Sequence, residues 1–272
     1  MKNYERRLSI NPDASNDYAA RTNAVTTSAS FDRHAVPGLT TVQMIEVDRA
    51  MIQDFGIELI QMMENAGRNL ADLARSRFLG GDPRGKRVTV LAGSGGNGGG
   101  ALVAARRLDN WGAAVGVVLA QAATAMTAVP AHQLSILERI GIPIVAVESI
   151  RSLAAADVVL DGLIGYSLKG PPTGAAAELI EWANRQEAPV LALDVPSGVD
   201  AGTGIVLDPA IRAAATMTLA LPKLGLLGPE AASHVGELYL ADLSVPPGLY
   251  RRSPLNLSVA PLFALAEVIR LR

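Results

Sequence analysis

Apolar residues first recur at helical spacing and later run together in short blocks. From Thr40 to Phe55 they fall at Val42, Ile45, Met51 and Phe55, which predicts a helix. Thr40 or Thr41 suits its cap and Gly56 its end. A second helical stripe runs through Leu59, Met63, Ala66, Leu70, Leu73 and Phe78, and "LGGDPRGK" breaks it. Short apolar blocks then alternate with helical segments. The expected strands are "RVTVLAG", "AAVGVVLA", "PIVAV", "DVVLDGLIG" and "APVLALDVPSG". Helices are expected over "NGGGALVAARRLDNWG", "AVPAHQLSILERIG", "SIRSLAAA" and "GAAAELIEWANRQ". Continuously apolar strands are buried on both faces, and their alternation with helices predicts a parallel, doubly wound α/β sheet. "ATMTLALP" and "GELYLADLSVP", with no clear helix between them, extend that sheet at one edge. "APLFALAEVIRLR" is expected to be a closing helix or part of a partner interface.

Residues 1–38 break from this pattern. They are mixed in charge and rich in Ser, Asn and Ala, so they are read as a flexible arm on a single domain spanning 39–272. Composition agrees with a helix-covered sheet: 49% of the 272 residues are hydrophobic and only 4% aromatic. The formal charge of -2 offers no basic surface for nucleic acid or anionic lipid. With no cysteine, thiolate metal sites and cysteine nucleophiles are excluded. No segment reads as a signal or a membrane span, so a cytoplasmic location is expected.

Ligands of open parallel sheets bind beyond the carboxyl ends of the strands. Three loops should meet there. The first carries Gly93, Ser94, Gly95, Gly96, Asn97, Gly98, Gly99 and Gly100. Its glycines expose backbone N–H groups at a helix N-terminus, a natural seat for a diphosphate. The second follows Asp161 and carries Gly165, Tyr166, Ser167, Leu168, Lys169 and Gly170; the third carries Asp194, Pro196 and Ser197. Two carboxylates at neighbouring strand ends call for a bound cation or a shared proton. Asn97, Asp161 and Ser197 supply hard oxygen donors that suit a monovalent or alkaline-earth ion. Ser197 lacks a placed histidine base, and His34, His132 and His234 form no ligand pattern.

With those residues in hand, the chain resembles the NAD(P)H-hydrate epimerase family, a domain often fused to a hydrate dehydratase. The likeness runs from about Leu39 to Pro246. It is carried by "MENAG", "GSGGNGGGALVAARRL", "DVVLDGLIGYSL" and "ALDVPSGVDAGTG", and continues through "TMTLALPKLGLL" and "GELYLADLSVP". It implies a Rossmann-like three-layer αβα sandwich, usually a homodimer. It also implies a dinucleotide substrate, the R and S forms of NAD(P)H hydrated at C6 of the nicotinamide ring. By position, Asn97, Asp161 and Ser197 match the family's potassium ligands. Gly95 to Gly100, Gly165 to Pro171 and Asp194 match its substrate contacts. Asp161 is the first candidate for the proton carrier and Asp194 the next. The chain departs from the family's NNGGD: Gly96 replaces its first asparagine and Gly100 its aspartate, and Ala101 follows. Tyr166 stands where the family usually has a small residue, an expected narrowing of the pocket. If Gly96 and Gly100 mark the loss of a ligand-facing asparagine and carboxylate, a catalytically weakened or inactive ligand-binding or scaffold protein of the same fold is the alternative.

Overall fold

The computed structural model describes residues 36–272. The expected arm lies outside the described residues, except for Val36 to Gly38. Helix α1 spans Thr41–Gln53. Thr40 caps it: its hydroxyl accepts from the Gln43 amide at 3.2 Å, and the Gln43 side chain accepts from the Thr40 amide at 2.9 Å. The helix turns a different face inward from the one its spacing predicts. Met44, Val47, Ala50 and Met51 are buried, whereas Val42 is 75% and Ile45 55% exposed. The chain enters α1 anchored at Leu39, whose backbone bonds to Pro222 and Leu224. Helix α2, Leu59–Arg77, keeps the expected stripe, burying Met63, Ala66, Leu70 and Leu73.

The sheet is built from β1 (Arg87–Ala92), β2 (Ala114–Leu119), β3 (Ile144–Val145), β4 (Val158–Gly162), β5 (Val190–Leu193), β6 (Ala215–Leu219), β7 (Glu237–Ala241) and β8 (Val268–Arg270). Their order is β3-β2-β1-β4-β5-β6-β7-β8, and all pairings are parallel except β7 with β8. Helices α3 (Gly96–Asn110), α4 (Ala128–Ile140) and α5 (Gly174–Asn184) link the earlier strands. Val88, Val90 and Ala92 of β1 pack into one core with residues of α2 and α3; Leu91 packs into a second core with residues of α5. Alternate residues of one strand thus feed both faces, which is why the strand reads as continuously apolar. The strand order reverses between β1 and β4, so a crevice opens beyond their carboxyl ends.

Three expectations change. The "SIRSLAAA" helix is a 3-10 turn over Val147–Ser152. Between β6 and β7 lie two helices of four residues, α6 (Leu224–Leu227) and α7 (Ala232–Val235), too short to leave a periodic signal. After the short helix α8 (Pro247–Arg251), the terminal "APLFALAEVIRLR" is not a helix. Its Val268, Ile269 and Arg270 pair antiparallel with Ala241, Leu240 and Tyr239. Pairing the open edge of β7 satisfies backbone groups that a packed helix would leave bare. No helix among the described residues is long and apolar enough to cross a membrane.

Candidate active site

A cavity of about 1050 Å³ opens at the crevice. The end of β1 contributes Gly93 to Asn97, the loop after β4 contributes Leu163 to Thr173, and Leu193 and Asp194 close the end of β5. Met44, Asp48 and Ile52 of α1 line it from above the strand ends, with Leu59, Met62, Met63 and Ala66 of α2 beside them. Of the expected ligand contacts, Gly95, Gly96, Asn97, Gly165, Tyr166, Ser167, Leu168, Lys169, Gly170, Pro171 and Asp194 all face this space. Gly98, Gly99 and Gly100 do not line it, and neither do Asp161 and Ser197.

The glycine run is therefore two devices. Helix α3 begins at Gly96, so only Gly95 remains outside it as the cap. Beside Gly95 a side chain would meet nothing within 4 Å, and at Gly96 only Met63 Cε at 4.0 Å. One turn later the space is gone. A Cβ on Gly99 would lie 2.4 Å from Met63 Sδ, and one on Gly100 2.9 Å from Leu193 Cδ2. Across the same interface a Cβ on Gly67 would meet Val103 Cβ at 2.4 Å and the Gly100 carbonyl at 2.5 Å. The later glycines let α2, α3 and β5 approach each other. A Cβ at position 100 would press on Leu193 and Ala66, which themselves belong to the cavity wall.

Asp161, expected to carry the proton, is entirely buried at the end of β4. Its Oδ1 accepts from the Ser197 hydroxyl at 2.6 Å and the Leu163 amide at 3.1 Å. Its Oδ2 accepts from the Ser197 amide at 2.9 Å. Burial pushes its pKa up to about 6, against the opposing pull of the Ser197 hydroxyl, the Ser197 amide and the Leu163 amide. Ser197 Oγ in turn accepts from the Ile164 amide at 2.9 Å. One carboxylate thus pins the loops after β4 and β5 together behind the cavity wall.

Asp194 has the other fate. Its backbone takes the left-handed conformation at φ 66, which aspartate tolerates better than most side chains. The carboxylate forms a very short ion pair with Lys223 through Oδ1. Lys223 is itself fully buried, and its ammonium also donates to Thr218 Oγ1 at 3.3 Å and the Leu219 carbonyl at 3.0 Å. All three ammonium donors are then used. Asp194 Oδ2 accepts no hydrogen bond among the described residues. It looks toward Gly165, where an added Cβ would lie 3.4 Å from it and 3.4 Å from Asn97 Oδ1. Sequence reasoning passed over Lys223. Its signal was a lone lysine in the apolar run from Leu219 to Leu227.

Asp48 was missed as well. It stands four residues from Met44 and from Ile52, on the face of α1 that lines the cavity. The Tyr166 hydroxyl donates a short hydrogen bond to Asp48 Oδ2. Burial raises the Asp48 pKa; the Tyr166 bond and the Lys223 charge oppose the rise, and the Asp194 charge adds to it. Burial and the adjacent Asp48 charge also raise the pKa of Tyr166. Tyr166 lines the cavity, and it ties the loop after β4 to α1.

Of the expected cation donors, Asn97 faces the cavity, and Asp161 and Ser197 are not part of its lining. Asn97 spends its amide donor on the Leu193 carbonyl at 3.1 Å, which leaves Oδ1 free to ligate. Asp161 has no Lys or Arg partner among the described residues, so its charge has only N–H and O–H donors beside it. A set of neutral oxygens with one carboxylate matches a monovalent cation better than a carboxylate-rich divalent site. No group of three or more His, Asp or Glu that could hold a metal occurs among the described residues.

A Rossmann-like sheet whose strand ends enclose a cavity, with a buried ion pair on its wall, defines a small-molecule-binding α/β protein. The profile of the YjeF-related protein N-terminus family matches residues 59–225, and the chain belongs to that family. It is 47% identical over 233 residues to an NAD(P)H-hydrate epimerase of Dehalogenimonas lykanthroporepellens, covering 85% of this chain and 91% of that protein. An NAD(P)H-hydrate epimerase of Rhodopirellula baltica is 37% identical over 80% of this chain and 88% of its own. A bifunctional NAD(P)H-hydrate repair enzyme of Salinibacter ruber is 36% identical over 83% of this chain, which spans 44% of that longer protein. In fold, the chain is similar to the crystal structure of yeast ynu0, with a TM-score of 0.70 and 22% identity over 86% of this chain and 100% of that one.

Proposed function

We propose that this protein is an NAD(P)H-hydrate epimerase that interconverts the R and S hydrates at C6 of the nicotinamide ring. The observation that carries this reading is Asp194: a carboxylate on the cavity wall, ion-paired with a buried lysine, with one oxygen free. The hydrated C6 bears a hydroxyl next to the ring nitrogen. Protonated, that hydroxyl leaves as water with its bonding electrons, and the nitrogen lone pair stabilises the cation. Water then adds from the other face and gives up a proton. A carboxylate within reach of C6 serves this exchange, and Asp194 replaces Asp161 as the first candidate.

The remaining residues hold the ligand. The backbone of Gly95, Gly96 and Asn97, at the N-terminus of α3, is a seat for the diphosphate. Gly165 to Pro171 form the facing wall. Asn97, Asp161 and Ser197 would hold a potassium ion, which would neutralise the buried Asp161 carboxylate. The exposed apolar side chains Val42, Ile45, Leu224 and Leu227 support a homodimer. A cytoplasmic location goes with a dinucleotide substrate. The names of the relatives at 47% and 37% identity support the same activity.

The test is an unequal mixture of R and S hydrates given to the purified protein, with equilibration followed against the spontaneous rate. Acceleration in potassium buffer is the expected result. Equilibration no faster than without protein would overturn the proposal.

A further inference from the structure

The geometry points to Asp48 and Tyr166 as a second acid–base pair, which serves the face of the ring opposite to the one served by Asp194. This rests on the epimerase reading above and deepens it. An epimerisation that loses a hydroxyl from one face and regains water on the other has two proton transfers at two places. A single carboxylate would have to reach both faces of a planar ring. The cavity carries two separate carboxylates. Asp194 rises from the end of β5 and Asp48 from α1, and their charges act on each other and on Lys223. Tyr166 occupies Asp48 Oδ2 and leaves Oδ1 without a hydrogen bond among the described residues. Each carboxylate is thus held through one oxygen and open through the other.

Their surroundings divide the roles. Asp194 is ion-paired with Lys223 and is the base. Asp48 has a hydroxyl rather than a cation as its hydrogen-bond partner, so it takes the role of the acid. Asp48 gives its proton to the C6 hydroxyl. The C–O bond breaks, water leaves with the electron pair, and the nitrogen lone pair closes a C=N bond. A water on the other face bonds to C6, the C=N electrons return to nitrogen, and Asp194 takes the surplus proton. One proton has been spent and one gained, and Asp48 and Asp194 have exchanged states. Running the reverse epimerisation, or exchange with solvent, resets them. Tyr166 is the positioning residue: it orients Asp48 and carries the loop after β4 against it.

The experiment measures kcat and KM for equilibration with Asp48→Asn, Asp48→Ala and Tyr166→Phe, each first shown to unfold cooperatively. Asp48→Asn keeps an acceptor for Tyr166 but no acid, and kcat should fall about 100-fold or more with KM within about threefold. Formate added to Asp48→Ala should restore part of the rate, which a purely structural role would not allow. Tyr166→Phe should lower kcat by roughly tenfold, since the acid stays but its orientation loosens. If both Asp48 variants keep kcat within twofold of the unsubstituted protein, or lose only KM, the pair is not catalytic. That result would leave the epimerase reading standing. An inactive unsubstituted protein would overturn both. Should the Asp48 variants fail to fold, Tyr166→Phe with unchanged kcat overturns the pair by itself.

Discussion

Asp161 and Asp194 end adjacent parallel strands, and Asp161 sits opposite Ala192 in the register of β4 and β5. In the sequence they look alike, yet they are placed on opposite sides of one wall. Asp161 is closed in by two amides and a hydroxyl and holds two loops together. Asp194 swings into the left-handed region, takes a buried lysine on one oxygen and shows the other to the cavity. The glycine run divides in the same way. Gly95 and Gly96 border the cavity, while Gly99 and Gly100 border the packed seam of α2 and β5. In each motif, one half builds the frame and the other half is offered to the ligand.

The sharpest way to break this contrast is to neutralise each aspartate. Asp194→Asn should cost roughly 10²- to 10⁴-fold in equilibration rate, and asparagine accepts the φ of 66 without collapsing the loop. Asp161→Asn should act chiefly on the unfolding midpoint. An equal loss of kcat in both variants would erase the distinction. Next in size is Lys223→Met, which strands a buried carboxylate and should destabilise the fold by about 3–5 kcal/mol in urea unfolding. A loss below about 1 kcal/mol would mean that cavity water solvates Asp194 well enough without its partner.

Asp161 also has a pH signature. Its folded pKa of about 6 lies above the ordinary 3.8, so the native state holds its proton more tightly than the unfolded chain. This group's contribution is fully present below pH 3.8 and is lost as pH rises to about 6, lowering stability by about 3 kcal/mol. Potassium, if it sits on Asp161, should restore part of that loss at pH 7; tetramethylammonium at equal ionic strength should not. Identical unfolding midpoints in the two salts would remove the cation from Asp161. Smallest are the glycines. Gly100→Ala should cost about 1–3 kcal/mol by overpacking against Leu193, whereas Gly96→Asn should change stability by less than about 1 kcal/mol. Equal costs at the two positions would show that the run is not divided.

The α/β class, the succession of strands through β5, and the three loops at the strand ends were all readable from the apolar pattern. Runs such as "RVTVLAG" are buried on both faces, and burial writes itself into residue type. The chain also announced its glycine-rich strand-to-helix turn, its strand-end aspartates and the motifs of its family. It did not announce that α1 faces inward through Met44 and Asp48, because Val42 and Ile45 made an equally apolar stripe. Neither did it show that "APLFALAEVIRLR" ends in a strand, since the need to cover β7 belongs to the sheet and not to the segment. Above all, it could not rank Asp161 against Asp194. That ranking depends on Lys223, 29 residues beyond Asp194 along the chain, and on Ser197, 36 beyond Asp161. Residue type determines which groups can carry charge and which segments seek burial. Which charge is buried, and which is left open to a ligand, was decided only when distant loops met, because that depends on the solvent and partners each carboxylate finds there.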